Sequence, residues 1–265
     1  MSRGANITSA SNPRYRALVK LRQSSRERRK AGQSLLDGTH LVAAYLQHVG
    51  KPAEVIVSSD GAENAEVAAL IARCGIEPLV LSAGLFRDLS TVATPTGVMA
   101  LVATPCPLAL PADPGPCVVL EDIQDPGNLG SILRSTAAAG LEEVYLSEHA
   151  VQAWSPRVLR AGMGAHFALR IYERVDLQAL LRRYSGTVFA AAKDGALPVY
   201  AADLRGRVAF VLGNEGAGLS DGLKGLAQGT IAIPMPGAVE SLNVAAAAAV
   251  CLFERVRQEA VSRKP

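Results

Sequence analysis

Apolar and polar positions divide the chain into short β-branched runs and longer stretches with helical spacing. Tyr15 to Lys30 carries Leu18, Val19 and Leu21 on one side and arginines elsewhere, which predicts a helix. Asn12-Pro13 precedes it as a turn, and residues 1–11 have no periodicity and read as flexible. Strands are expected at Ser34–Asp37, Glu54–Ser58, Pro78–Leu81 and Gly97–Val102, with helices at Thr39–Val49 and Asn64–Cys74. Gly75 closes the latter helix as a C-cap. This alternation predicts a small α/β unit of about 100 residues.

Thr104 to Pro116 (TPCPLALPADPGP) contains five prolines and one glycine, a stiff extended linker. It divides the chain into 1–103, the linker 104–116, and 117–265. Beyond it, strands are expected at Cys117–Glu121, Glu143–Ser147, Thr187–Ala191, Val208–Leu212 and Thr230–Ile233. Helices are expected at Asn128–Ala139, Pro156–Ala161 and Asp176–Tyr184, and a short one is capped by Ser220. Near-continuous apolar strands separated by helices predict a parallel sheet covered on both faces.

The stretch TIAIPMPGAVESLNVAAAAAVCLFERV (Thr230 to Val256) organises this half. A strand end runs into a loop stiffened by Pro234, Pro236 and Gly237. Ser241 is placed to cap a helix running to about Arg257. A strand, a rigid loop and a helix start make either an ordinary connection or a pocket rim with backbone groups facing outward. Glu240, Ser241 and Asn243 offer more hydrogen bonding than one cap needs.

Several chemistries are excluded. Gly213, Gly216 and Gly218 fall in GNEGAG, which is not the spacing of a dinucleotide loop. No Walker loop is present. The four cysteines show no CxxC spacing, so no metal is expected, and they fit a reduced, cytoplasmic protein. His40, His48, His149 and His166 are isolated and read as surface or capping residues. No apolar run is long enough to span a bilayer.

Composition adds one asymmetry. The net charge is only +3, yet residues 1–30 hold nine basic side chains and one acid, Glu27. The remaining residues hold 18 basic and 23 acidic side chains. Arg3, Arg14, Arg16, Lys20, Arg22, Arg26, Arg28, Arg29 and Lys30 thus form either a phosphate-binding arm or a solvated basic tail. Aromatics make up only 5%, which argues against base stacking on aromatic platforms as the main binding device.

Three segments in order carry a family resemblance: LEDIQDPGNLGSILRSTAAAG (Leu120 to Gly140), FVLGNEGAGLS (Phe210 to Ser220) and IPMPGAVESLNVAAAAAV (Ile233 to Val250). They resemble the three motifs of the SpoU (TrmH-type) RNA 2′-O-ribose methyltransferases of the SPOUT superfamily. Read alone, Asn128 is a helix cap and Arg134 a surface arginine. The resemblance instead implies catalytic roles for Asn128, Arg134, Glu215, Ser241 and Asn243. It implies S-adenosylmethionine as cofactor, held by Leu212, Gly213, Asn214, Glu215, Ile233, Met235, Leu242, Asn243 and Val244. It also implies a deep trefoil knot and a homodimer, with the helices near Asn128–Ala139 and Ala245–Arg257 as contact surfaces. The first unit resembles a ribosomal-protein-like substrate-binding domain, although Asp37-Gly38 and Thr96-Gly97 depart from the usual Glu-Gly and Gln-Gly. RNA contacts are expected from Arg14, Arg16, Arg22, Arg26, Arg28, Arg29 and Arg160. Arg160 reads equally as a structural salt-bridge residue.

The expected activity is methylation of a ribose 2′-hydroxyl, in ribosomal RNA ahead of transfer RNA. A base-directed methyltransferase fits less well, because the first motif carries Asn128 and Arg134. A non-catalytic RNA-binding or ribosome-assembly factor on the same scaffold is the remaining alternative.

Overall fold

A computed structural model describes residues 6–107 and 109–262, apart from the side chain of Ala62. Arg3 and Leu108 lie outside the described residues. The chain divides into two compact units, Met1–Pro105 with Trp154–Phe167, and Cys106–Ala153 with Ala168–Pro265.

The first unit contains β1 (Asn6–Ile7), α1 (Pro13–Gln23), α2 (Ser25–Ala31), β2 (Gln33–Asp37) and α3 (Thr39–His48). It continues with β3 (Glu54–Ser58), α4 (Ala65–Cys74), β4 (Leu79–Leu81), α5 (Ala83–Leu89) and β5 (Val98–Ala103). Its sheet has the order β1-β4-β3-β5-β2, with β5 antiparallel to both neighbours. The single helix expected over Tyr15–Lys30 is two helices. Ser24 adopts an extended backbone, ends α1, and its hydroxyl accepts from Glu27 N–H to cap α2. Tyr15, Leu18 and Leu21 pack inward with Leu35, Ile56, Leu79 and Met99. The excursion Trp154–Phe167 carries α7 (Pro156–Gly162), which packs against β2. Phe167 meets Tyr45 edge to face at 5.3 Å. His166, expected at the surface, is fully buried against Trp154.

The second unit runs β6 (Cys117–Leu120), α6 (Pro126–Ala138), β7 (Glu143–Leu146), β8 (Arg170–Tyr172), α8 (Leu177–Arg182) and β9 (Thr187–Ala191). It ends with β10 (Leu197–Pro198), β11 (Val208–Leu212), α9 (Asp221–Lys224), β12 (Gly229–Ala232) and α10 (Val244–Ser262). Its sheet is parallel throughout, in the order β10-β12-β9-β11-β6-β7-β8. The strands at its centre are buried along their length, as continuous apolar runs require. Because the strands are parallel, the loops after β6, β9, β11 and β12 emerge at one edge. α10 packs against α6 on one face.

Two caps differ from expectation. Asp125, not Asn128, caps α6, accepting from Asn128 N–H with Pro126 in the first turn. Asn243, not Ser241, accepts from Ala245 N–H where α10 begins. In both cases the residue nearest the helix start has the side-chain acceptor, and the expected one is freed for the neighbouring cleft.

Candidate active site

The loops at the carboxyl edge of the parallel sheet enclose a cleft of about 670 Å³. Leu212, Ile231, Ile233, Met235, Leu242 and Val244 form its apolar wall. Asn128, Asn214, Glu215, Ser241 and Asn243 supply polar groups. Gly213 is required by close approach, because a Cβ there would stand 2.3 Å from the Gly218 carbonyl. The loop Asn214–Gly218 is closed by paired backbone bonds between those two residues, and the Asn214 side chain accepts from Gly216 and Ala217 N–H. The Asn214 amide also donates to Asp122 O at 2.8 Å, tying this loop to the turn after β6.

Three side chains from three separate segments form one hydrogen-bonded chain. Asn243 Nδ2 donates to Asn128 Oδ1 at 2.8 Å, and Asn128 Nδ2 donates to Glu215 Oε1 at 2.9 Å. Glu215 also accepts from the backbone N–H groups of Gln124 and Asp125. Partial burial opposes the charge on Glu215. The Asn128 amide and the backbone donors outweigh it and hold the carboxyl below its ordinary range. The carboxylate between glycines is therefore compensated by amides.

Arg134 lies on α6, exposed, and does not line the cleft. Six residues separate it from Asn128, about 9 Å along the helix and about 240° around it. Ser241 lines the cleft and forms no side-chain hydrogen bond among the described residues. The basic residues of the first unit divide in two. Arg14 pairs with Glu54 at 2.6 Å, and Arg22 donates to the carbonyls of Asp88 and Ser90. Arg28 is 4% exposed and donates to Leu21 O and Arg22 O, closing the end of α1. Arg16, Arg26 and Arg29 remain exposed, as does Arg160 on α7.

Sequence reasoning missed Ala191, Ala192, Lys193 and Asp194, which line the cleft at the end of β9, and also Leu219, Lys224, Ile231, Ala247 and Cys251. A usable signal was present. A turn sequence, Lys193-Asp194-Gly195, follows a parallel strand at its carboxyl end, where open α/β sheets place ligands.

The family model of the SpoU rRNA methylases matches residues 115–253. The chain belongs to this family. An MRM3-like substrate-binding domain matches residues 12–100 of the same SpoU chain. An uncharacterized tRNA/rRNA methyltransferase of Synechocystis is 32% identical, covering 98% of this chain and 97% of its own. A 23S rRNA guanosine 2′-O-methyltransferase of Bacillus subtilis is 29% identical, covering 93% and 97%. The SpoU methyltransferase AviRb of Streptomyces viridochromogenes, solved with the cofactor AdoMet, superposes with a TM-score of 0.84 at 26% identity. That superposition covers 94% of this chain and 98% of AviRb. The SpoU match spans all three segments joined by Asn243, Asn128 and Glu215.

Proposed function

We propose that this protein transfers a methyl group from S-adenosylmethionine to a ribose 2′-hydroxyl of ribosomal RNA. The observation that carries the reading is the chain Asn243–Asn128–Glu215, which joins the three family motifs at the mouth of one cleft. The named relatives that methylate ribosomal RNA support the substrate class.

The cleft suits the cofactor. Its volume falls within the usual range for small-molecule sites. Among the described residues, loop residues 234–242 make no backbone–backbone hydrogen bond, so their N–H and C=O groups are available to a ligand. Leu212, Gly213, Ile233, Met235, Leu242 and Val244 would hold the molecule with aliphatic surface and main-chain groups, while Asn214, Glu215 and Asn243 fix the rim. When bound, the cofactor supplies an electrophilic methyl group on a sulfonium.

The protein's own contribution is placement and electrostatics. With the cofactor seated, the aliphatic wall would shield the methyl group from water, which favours a step in which opposite charges are neutralised. Glu215 stays ionised because amides hold it, and Asn128 is fixed by its two partners. Arg134 presents a planar guanidinium outside the cleft, where it orients a backbone phosphate of the RNA. A phosphate or water takes the proton. Its exposed position on α6 suits a partner that arrives from outside.

Three further parts belong to this proposal. The chain after about Leu212 is threaded as a trefoil knot. This is supported by β11 lying inside the sheet while the following chain crosses to β12 and returns as α10 to pack on α6. The protein works as a homodimer. Since α6 and α10 pack on each other, the partner meets their outer faces, where Phe253 is 48% exposed. It acts in the cytoplasm, consistent with four free cysteines. Among the described residues no helix is long and apolar enough to cross a membrane.

The test is incubation with labelled S-adenosylmethionine and ribosomal RNA from cells lacking this protein, followed by mapping of ribose methylation. A single new 2′-O-methyl mark is expected. Incorporation into transfer RNA alone, or none with either RNA, would overturn the reading.

A further inference from the structure

The cofactor cleft has a charged side that the methyl-transfer reading leaves unused. In the sheet, β9 and β6 flank β11, so the turn after β9 stands about 10 Å from the segment after β6 that leads to Asn128. Around Asn128 the polar groups, Glu215 and Asn243, are already bonded to it. On the β9 side they are Lys193, Asp194 and Lys224, and all three line the cleft. Among the described residues, the side chains of these three form no hydrogen bond or ion pair.

The turn after β9 is pinned on both sides. Ala192 N–H donates to Ile231 O at 3.0 Å, and Ala196 N–H to the Thr230 hydroxyl at 3.0 Å. Gly195 N–H donates back to Ala192 O at 3.2 Å, which makes Lys193 and Asp194 the central residues of a β-turn. Glycine is needed at 195, because a Cβ there would stand 2.5 Å from the Ile231 carbonyl carbon. Asp194 therefore reaches the cleft from a fixed backbone. Glu240, which also lines the cleft, sits in a loop without backbone pairing. Lys224 closes α9, which packs on α8, the helix leading into β9, so it belongs to the same side. Lys224 is half-buried, whereas Lys193 is exposed. A half-buried ammonium has given up water without gaining an anion, and an arriving carboxylate restores what it lost.

S-adenosylmethionine ends in an amino-acid head, a carboxylate and an ammonium on one carbon. Two methylene groups separate this head from the sulfur, so head and methyl group occupy different parts of a site. The aliphatic wall suits the adenine and offers nothing to a zwitterion. One cation and one anion on the same side of the cleft meet both of its charges. We propose that Lys224 holds the carboxylate and Asp194 the ammonium of the cofactor's amino-acid head. The proposal rests on the methyl-transfer reading and deepens it, assigning recognition of the head to two side chains outside the three motifs.

The test is calorimetry of the full chain with S-adenosylhomocysteine, which keeps the head and lacks the methyl group, and with its decarboxylated and deaminated analogues. The wild type is expected to bind each analogue about tenfold more weakly than the parent compound. Lys224→Met should weaken the parent about tenfold and leave the decarboxylated analogue unchanged, because that analogue has already lost the lysine's partner. Asp194→Asn should likewise weaken the parent and leave the deaminated analogue unchanged. Equal wild-type affinity for all three compounds would overturn the proposal and leave the methyl-transfer reading standing. An equal loss for parent and decarboxylated analogue in Lys224→Met would also overturn it, since that marks a change in packing. Weaker binding of labelled ribosomal RNA by Lys224→Met, with unchanged affinity for the parent, would give the lysine to the RNA instead. No binding of the parent by the wild type would remove the methyl-transfer reading, and this proposal with it. The comparison of three compounds needs no variant, so it stands even if Lys224→Met fails to fold.

Discussion

Asn128→Ala removes the central link of the chain that joins three motifs. Two hydrogen bonds go, one from Asn243 at 2.8 Å and one to Glu215 at 2.9 Å. A neutral bond contributes about 1 kcal/mol, and one to a charged group about 1.5–3 kcal/mol. Glu215 is exposed and keeps two backbone donors, so water replaces part of the second bond. The expected loss is therefore about 2 kcal/mol in urea unfolding at pH 7, with weaker cofactor binding by calorimetry. Asn128→Asp separates charge from geometry, since it keeps an acceptor for Asn243 but sets a second carboxylate against Glu215. At pH 7 it should be less stable than Asn128→Ala. The sign of its pH dependence is diagnostic. In the wild type the Glu215 carboxyl lies below its ordinary value of 4.5, so its stabilisation is present above that value and lost as pH falls through the folded value. In Asn128→Asp the facing carboxylates are raised, so this variant should gain on the wild type as pH falls from 7 toward 5. Equal stability of Asn128→Ala and wild type, or parallel pH curves for Asn128→Asp and wild type, would refute the relay.

Gly213→Ala places a methyl group against the Gly218 backbone, where only movement of the loop relieves it. A loss of about 1–3 kcal/mol in thermal unfolding is expected, together with loss of cofactor binding. Arg134→Lys keeps the charge but not the planar fork. Turnover should fall at least tenfold with unfolding unchanged, because Arg134 is exposed, and near-normal kcat would show that fork geometry is irrelevant. Arg28→Ala should lower Tm, since its guanidinium is buried on two backbone carbonyls. Arg26→Ala and Arg29→Ala should leave Tm alone and weaken RNA binding in a salt-dependent way, and the reverse pattern would reassign all three.

The strands and most helices were legible because their signals are local. Glu54–Ser58, Thr187–Ala191 and Val208–Leu212 occur with the expected bounds, since each is a continuous apolar run between breakers. Ser24 was missed because a serine inside a basic, weakly amphipathic stretch gives no periodic break. Its capping of Glu27 N–H becomes evident only with the backbone in place. The caps of α6 and α10 were placed wrongly, at Asn128 and Ser241, because several cap-competent side chains crowd each start and spacing alone does not choose among them. Family resemblance singles out Asn128, Glu215 and Asn243, the motif residues that meet in the chain. Their mutual hydrogen bonds depend on long-range packing and had no signature in the sequence. Trp154–Phe167 was likewise invisible as an excursion into the first unit, because SPRVLRAGMGAHFA has the composition of any short helix and loop.

The two ends of the parallel sheet are built for different tasks. At the amino ends of β6, β7 and β8, polar groups are fully engaged. Glu143 accepts from Gly115 N–H and from the Tyr145 hydroxyl, pairs with Arg170, and leaves Tyr184 to donate to Gly115 O. Burial, reinforced by the charge of Glu143, pushes the nearby Cys117 thiol up to about 12. Such a satisfied network fixes where the linker joins the sheet and leaves nothing for a ligand. At the carboxyl ends the balance is reversed. Ser241, Lys193 and Lys224 line the cleft without side-chain partners among the described residues, and the main chain of 234–242 is likewise free of backbone pairing. Those unmet capacities are tolerable only where solvent or a ligand can meet them. A bound cofactor should therefore protect the amide hydrogens of residues 235–244 from exchange while leaving those of Cys117–Leu120 unchanged. Equal protection at both ends would mean general tightening of the fold, and no protection in 235–244 would remove the cleft from the account.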